Sequence, residues 1–331
     1  MLTRAERQLD VGSIGGQMMG RRRTRVVAQV SLLLCLAGTS SAVWAARCDL
    51  KSGMTAQQGR LGLCKFNAQK GSFAGTPAEQ AVCLTREVKR LGIIGGETIP
   101  PFLKNLAGKP APAAASVQRL LDGKNIKPGQ IGGPTSKPIT ANYFIIHDTS
   151  SPNCSEQGVS TARCPQRGEF PPNRDDASWP VNRDFDGHPK AAPHRLAHVF
   201  NNRAGDSVTE VDYADHIATT KFERCADSDA KDRLFVGIEN IQPRVGDPRI
   251  PAPGRRVNDF DAPQPGFSQK QYERLALLYL VASARRGQWL IPAFHAVIDS
   301  QYADGHDDPQ KFDITAFSDE VKKHLDAVNA P

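Results

Sequence analysis

Four apolar or aromatic residues in a row, Tyr143-Phe144-Ile145-Ile146, run straight into His147, and the composition then turns to Ser, Pro, Asn and Cys. A short unbroken apolar run bounded by turn residues reads as a buried strand. It needs cover on its faces, and that requirement restricts the fold more than any other stretch of the chain. It also sets His147 where a rigid scaffold meets the surface, a position that suits a metal ligand. Leu234-Phe235-Val236-Gly237-Ile238 reads as a second buried strand, ending on Glu239.

Between these two strands lies a hairpin. Leu196–Phe200 forms one arm, the turn spans Asn201–Asp206, and Ser207–Val211 forms the other arm. Ser268-x-x-Gln271 is a capping box that opens a long helix through Leu275, Leu278 and Val281 to Arg286-Gly287. A final helix is expected around Ala316–Val328. Strands alternating with helices, plus a hairpin, predict an α/β fold with a mixed central β-sheet flanked by helices. This domain is assigned to residues 139–331. Residues 46–138 predict a small helical region and a Gly/Pro-rich linker. Thr76-Pro77 opens one helix there, with apolar positions continuing to Leu91 before Gly92. A second helix runs from Ala113 to Leu121, and Lys127–Pro138 is the linker.

Arg21, Arg22, Arg23 and Arg25 precede an apolar run from Val26 to Ala37, and Val43-Trp44-Ala45 supplies a small-residue cleavage pattern. Residues 1–45 therefore read as a secretory signal peptide, since the run is too short to span a bilayer. A periplasmic or secreted protein with no integral membrane segment is expected after cleavage. The signal takes six arginines and two acids with it, which lowers the formal charge from +7 to +3. No basic run remains that would recruit nucleic acid. Six cysteines remain: Cys48, Cys64, Cys83, Cys154, Cys164 and Cys225. An even count in an exported chain points to disulfides, and the pairing is open. Cys154 and Cys164, in one Pro/Gly/Ser-rich loop, are the first candidates for a bridge. That loop, from Ser150 to His194, is long enough to act as a lid.

The polar residues that strand ends and loops could bring together are His147, Glu239, His295, His306, Asp307 and Asp308. Two neutral imidazoles and one carboxylate form a ligand set suited to zinc, with a fourth position left for water. A glutamate that is not a ligand can accept that water's proton and pass it to a leaving nitrogen.

Phe144-Ile145-Ile146-His147, Ala197-His198-Val199-Phe200 with its Gly205 turn, and Ala214-Asp215-His216-Ile217-Ala218 resemble the first half of zinc-dependent N-acetylmuramoyl-L-alanine amidases. These share a fold with peptidoglycan recognition proteins and amidase-type phage lysozymes. Val236-Gly237-Ile238-Glu239-Asn240 resembles the family's Gly-Ile-Glu strand. His295 followed by Asp308-Pro309 and Phe312-Asp313 resembles its closing metal motif. The resemblance covers about residues 140–325. It implies Zn2+ held by His147, His295 and Asp308, with Glu239 as general base and then acid. It also implies hydrolysis of the amide between N-acetylmuramic acid and L-alanine, with peptidoglycan or muropeptides as the partner.

His306 stands where the family often has a lysine that stabilises the oxyanion, a task an imidazolium would perform when protonated. The spacing from His295 also admits Asp304 as the carboxylate ligand, although the Asp308-Pro309 context favours Asp308. His216 either lines the substrate groove or is a surface residue. His188, His194 and His324 are read as surface residues and His198 as a hairpin residue. The alternative function is a non-catalytic peptidoglycan-binding protein of the same fold, which would be expected to lack a ligand.

Overall fold

The run Tyr143–Asp148 is a strand with all six residues buried, and it lies inside a five-stranded sheet. The structure, a computed structural model, describes residue 49 and residues 64–67, 69–89, 92–150, 197–225, 234–244, 262–263, 266–302 and 306–330. The expected signal peptide, the Cys154–Cys164 pair, the lid segment, His188, His194 and Asp304 lie outside these residues. Among the described residues no helix is long and apolar enough to cross a membrane.

In chain order the strands are β1 (Phe66–Asn67), β2 (Ser72–Phe73), β3 (Val88–Lys89), β4 (Ile93–Ile94), β5 (Tyr143–Asp148), β6 (Val199–Asn201), β7 (Ser207–Thr209), β8 (Phe235–Asn240) and β9 (Ile291–Phe294). The helices are α1 (Pro77–Leu84), α2 (Pro101–Leu106), α3 (Ala114–Gly123), α4 (Lys221–Cys225), α5 (Gln269–Arg286), α6 (His295–Ile298) and α7 (Ile314–Asn329). The large sheet has the order β7-β6-β8-β5-β9. Only the β6–β7 hairpin is antiparallel; the β6–β8, β8–β5 and β5–β9 pairs are parallel. The expected mixed α/β architecture is therefore present. Strand β9 carries Pro292, which cannot donate to a ladder and so belongs at the edge where β9 lies.

Both faces of β5 are covered, which accounts for its unbroken apolar run. Alternation sends Phe144 and Ile146 to one side and Tyr143, Ile145 and His147 to the other. Phe144 meets Tyr279 of α5 with ring centroids 5.2 Å apart, and Tyr279 in turn meets Phe317 of α7 at 5.6 Å. Helix α5 is thus enclosed between the sheet and α7, and its residues from Leu275 to Arg285 are all buried. Its ends follow the sequence signals. The Ser268–Gln271 capping box closes the start, and Gly287 closes the end in the left-handed conformation at φ 77°.

On the other face, Tyr143 packs edge-on against Phe73 at 5.3 Å and its hydroxyl donates to Gln80 Oε1 at 2.8 Å. Phe66 and Phe73 from the β1–β2 hairpin meet Phe222 of α4, which touches Phe235 of β8. A Cys64–Cys83 disulfide fastens the lead into β1 to α1, and Cys225 is also disulfide-bonded. The Gly/Pro-rich stretch is fastened as well. Tyr213 lies so close to Gly132 that a Cβ there would fall within 2.3 Å of its ring, and Arg285 donates to the carbonyls of Gly132 and Lys137. Phe73, Leu84, Leu103, Val117 and Leu121 belong to the same hydrophobic cluster as β5 and α5.

One helix is shorter than its apolar spacing predicts. Helix α1 ends at Leu84, because Thr98 Oγ1 takes the carbonyl of Thr85 at 2.9 Å and Arg86 Nε reaches Gly95 O at 3.0 Å. Val88 and Ile94 then pair as a hairpin instead of continuing the helix. His324 is buried and not on the surface, its ring meeting Glu273 O at 2.9 Å between α7 and α5.

Ser268 is 3% exposed, accepts from Gln271 N at 3.1 Å and donates to Arg203 O. Ser268→Ala is expected to destabilise by about 1–2 kcal/mol. The measurement is urea unfolding, read as a lower midpoint at unchanged slope.

Candidate metal centre

Register brings the site together. In the parallel β5–β8 pair, His147 lies opposite Glu239, and in the β5–β9 pair Ile146 lies opposite Phe294. His295 follows Phe294 directly, so three side chains from three distant segments converge at the carboxyl ends of adjacent strands. Ligand sites of open α/β sheets form at this edge, where loops leave the sheet. Gly237 of β8 permits a close approach from the other side, since a Cβ there would fall 2.6 Å from Thr219 Oγ1.

His147, His295 and Asp308 are buried, and one ligand atom from each lies within 4.8 Å of the others. The two Nδ1 atoms are 2.9 Å apart, and Asp308 Oδ2 is 3.1 Å from His295 Nδ1 and 3.6 Å from His147 Nδ1. Asp308 is the last residue to arrive. Its carbonyl accepts from Ala296 N at 2.9 Å, and its carboxylate accepts from Asp148 N at 3.2 Å. The residues after it explain the Phe312-Asp313 motif structurally. Phe312 enters a ring cluster with Phe267, Tyr272 and Phe294, and Asp313 caps α7 by accepting from Thr315 N and Ala316 N.

Burial and charge act in opposite directions at each ligand. Burial and the neighbouring His295 push the His147 pKa down, so its ring is neutral at pH 7. Burial alone would also lower His295, but the carboxylates of Asp308 and Asp299, one at each ring nitrogen, outweigh it and hold His295 well above the usual histidine range. Burial would raise Asp308, yet His295 first and the nearby His147 second hold it well below the carboxylate range. Glu239 is half-buried beside them, with Oε2 closed off and lacking a hydrogen-bond partner. Burial first, and the negative Asp308 second, raise its pKa well above the usual value.

The donor set fits a metal ion. His147 Nε2 is buried with no hydrogen-bond partner, and Asp308 Oδ1, 3.0 Å from His295 Nδ1, makes no aligned hydrogen bond. Four buried aspartates, Asp148, Asp299, Asp307 and Asp308, surround the site with Glu239, while Arg244 is the buried guanidinium set among them. Burial pushes the carboxyls of Asp148, Asp307 and Glu239 toward their protonated forms, and a divalent cation would favour their ionised forms. His295 is already oriented for the task. Its Nε2 lies 2.8 Å from Asp299 Oδ2, which points Nδ1 at His147 and Asp308. Asp299 is itself fixed by accepting from Lys221 N and Phe222 N, both at 2.9 Å.

His295 and Asp308 open onto a cleft of about 230 Å3 lined also by Asp148, Thr220, Lys221, Arg224, Glu239 and His306, among others. The His306 ring stacks on His295 at 4.3 Å, with Nδ1 3.7 Å from Asp308 Oδ1. Burial and the positive His295 lower its pKa, so it is a neutral imidazole at pH 7. His216 is exposed and does not line the cleft. His198 is buried, accepting from Gly237 N at 3.1 Å. Sequence reasoning missed Asp299, although its place one turn after His295 was the available signal, and it missed Asp148 and Arg244. No family model matches the chain, and neither the curated proteins nor the solved structures contain a significant match.

Two outcomes follow from this geometry. In the metal-free protein the His295 pKa exceeds the unfolded value of 6.5, so its ion pairs stabilise fully below about pH 6.5 and that stability is lost as pH rises through the folded value. A metal must displace the His295 proton, so affinity is expected to rise by up to about tenfold per pH unit below that value. Calorimetric titration of Zn2+ at pH 7, in buffers of different ionisation enthalpy, should register the released proton. Asp299→Asn is expected to weaken Zn2+ binding by roughly 10–100-fold, measured by competition with a chelator.

Proposed function

We propose that the protein is a zinc-dependent N-acetylmuramoyl-L-alanine amidase with the fold of that family, acting on peptidoglycan or muropeptides. The observation that carries this reading is the buried convergence of His147, His295 and Asp308 at a cleft that His295 and Asp308 line together with Glu239. Their chain order and surrounding residues resemble the amidase motifs. Two imidazole nitrogens and one carboxylate oxygen, with the second ring nitrogen of His295 held by a carboxylate, favour zinc over the hard cations. The Cys64–Cys83 and Cys225 disulfides are compatible with a periplasmic or secreted protein.

When bound, zinc supplies a Lewis acid for the amide carbonyl and lowers the pKa of water to about 7. Glu239 accepts the proton of the attacking water. Its poor solvation favours the protonated form once the proton has arrived, so the same carboxyl then delivers that proton to the departing L-alanine nitrogen. His306 stands at the mouth of the site as a neutral N–H donor to the developing oxyanion, without the positive charge that the family's lysine brings to that task. Lys221 and Arg224 give the cleft wall positive charge, which suits the carboxylates of a stem peptide.

Incubation of the purified protein with muramyl-tripeptide and with whole sacculi, followed by mass spectrometry, tests this function. The expected product is free peptide with a new L-alanine amine, lost on chelation and restored by zinc. Tight binding without cleavage, in a zinc-loaded sample, would transfer the reading to a recognition protein of the same fold. Glu239→Gln is expected to retain zinc while turnover falls by roughly 10²–10⁴-fold. Loss of zinc in that variant would count against its assigned role.

A further inference from the structure

Behind the ligands lies a buried ion cluster that the hydrolytic chemistry does not use. The Arg244 side chain is 0% exposed, and its Nη2 lies 2.7 Å from Asp148 Oδ1 and 3.5 Å from Asp307 Oδ1. Each of these acids is the chain neighbour of a ligand: Asp148 follows His147 and Asp307 precedes Asp308. The bridge is closed a second time by Gln310, whose N–H donates to Asp148 Oδ2 at 2.8 Å and whose amide donates to Asp307 Oδ2. Asp148 then passes the constraint on, since its own N–H donates to the ligand oxygen Asp308 Oδ2 at 3.2 Å.

We propose that Arg244 is a positioning residue for the metal centre, a guanidinium brace that fixes the Asp308 loop against the end of β5 without touching the metal. This inference rests on the metal reading above. Fold stability alone is a poor explanation for the cluster, because apolar residues of equal volume stabilise a core as well as or better than buried ion pairs do. What apolar residues cannot do is attract two carboxylates to one point, and Arg244 does so through a single nitrogen, Nη2, which faces Asp148 and Asp307 together. A lysine would retain the charge on a compact, strongly hydrated ammonium with a flexible stem, which holds that point less firmly in a buried cluster. Without Arg244, Asp148 and Asp307 repel each other beside Asp308, and the carboxylate ligand loses its placement relative to His147 and His295.

The test compares the parent protein with Arg244→Lys and Asp307→Asn. Each is measured for Zn2+ affinity by chelator competition, for the visible spectrum of its Co2+ form, and for metal-free melting. Both variants are expected to weaken Zn2+ binding by about 10–100-fold and to alter the Co2+ bands, which report ligand geometry. A role in stability alone would lower the melting temperature and leave the Co2+ spectrum of the folded fraction unchanged. Affinity within twofold of the parent, or weaker binding with unaltered Co2+ bands, would overturn the proposal. If Arg244→Lys does not fold, Asp307→Asn decides by the same criteria. A parent that binds neither metal would refute the metal reading itself, and a parent that binds both beside unaffected variants would refute only the brace.

Discussion

Parallel strand pairing is the constraint on which everything else depends. Because β5, β8 and β9 run the same way, their carboxyl ends meet at one edge, and a single register sets His147 opposite Glu239 and leaves His295 one residue beyond. A slip of one residue in either pair would turn the corresponding side chain to the opposite face. Burial on both faces prevents that slip. Phe144 is held by α5 and Tyr143 by the β1–β2 hairpin and α1, so no neighbouring register can satisfy both. The packing of the core therefore sets the geometry of the site.

Around this edge the protein gathers more acids than it has buried cations to pair with them. His295 is shared between Asp299 and Asp308, and Arg244 is shared between Asp148 and Asp307. Each cation thus serves two acids, and Glu239 is left over. Buried clusters of this kind contribute little to stability, but their members have few alternative partners and so hold one arrangement. Such rigidity matters most for Asp308, the one ligand that comes from a loop and not from a strand end.

Much of this was legible in the sequence, and what was not legible has physical causes. The strands β5 and β8, the β6–β7 hairpin and the helix between Ser268 and Gly287 carry their own local signals, and His147, Glu239, His295 and Asp308 were readable because their sequence contexts are distinctive. The two-residue strands β1 to β4 are too short for any periodicity to register, and the early end of α1 depends on Thr98, thirteen residues away. Arg244 sits after a proline and reads as loop, since nothing local announces one partner nearly a hundred residues upstream and another some sixty downstream. His324 presents a polar residue on an amphipathic helix, and only the packing of α7 on α5 buries it.

The contact between Phe66 and Phe222 has a consequence for how this chain can be divided. Phe222 belongs to α4, whose first N–H groups hold Asp299, and Asp299 orients His295. The β1–β2 hairpin thus supports the histidine from behind, three contacts removed, and Phe73, Leu84 and Leu103 share their core with the sheet. The two regions are not interchangeable modules. A shortened form beginning at the sheet would keep every ligand and still lose its roof, exposing an aromatic surface that invites aggregation.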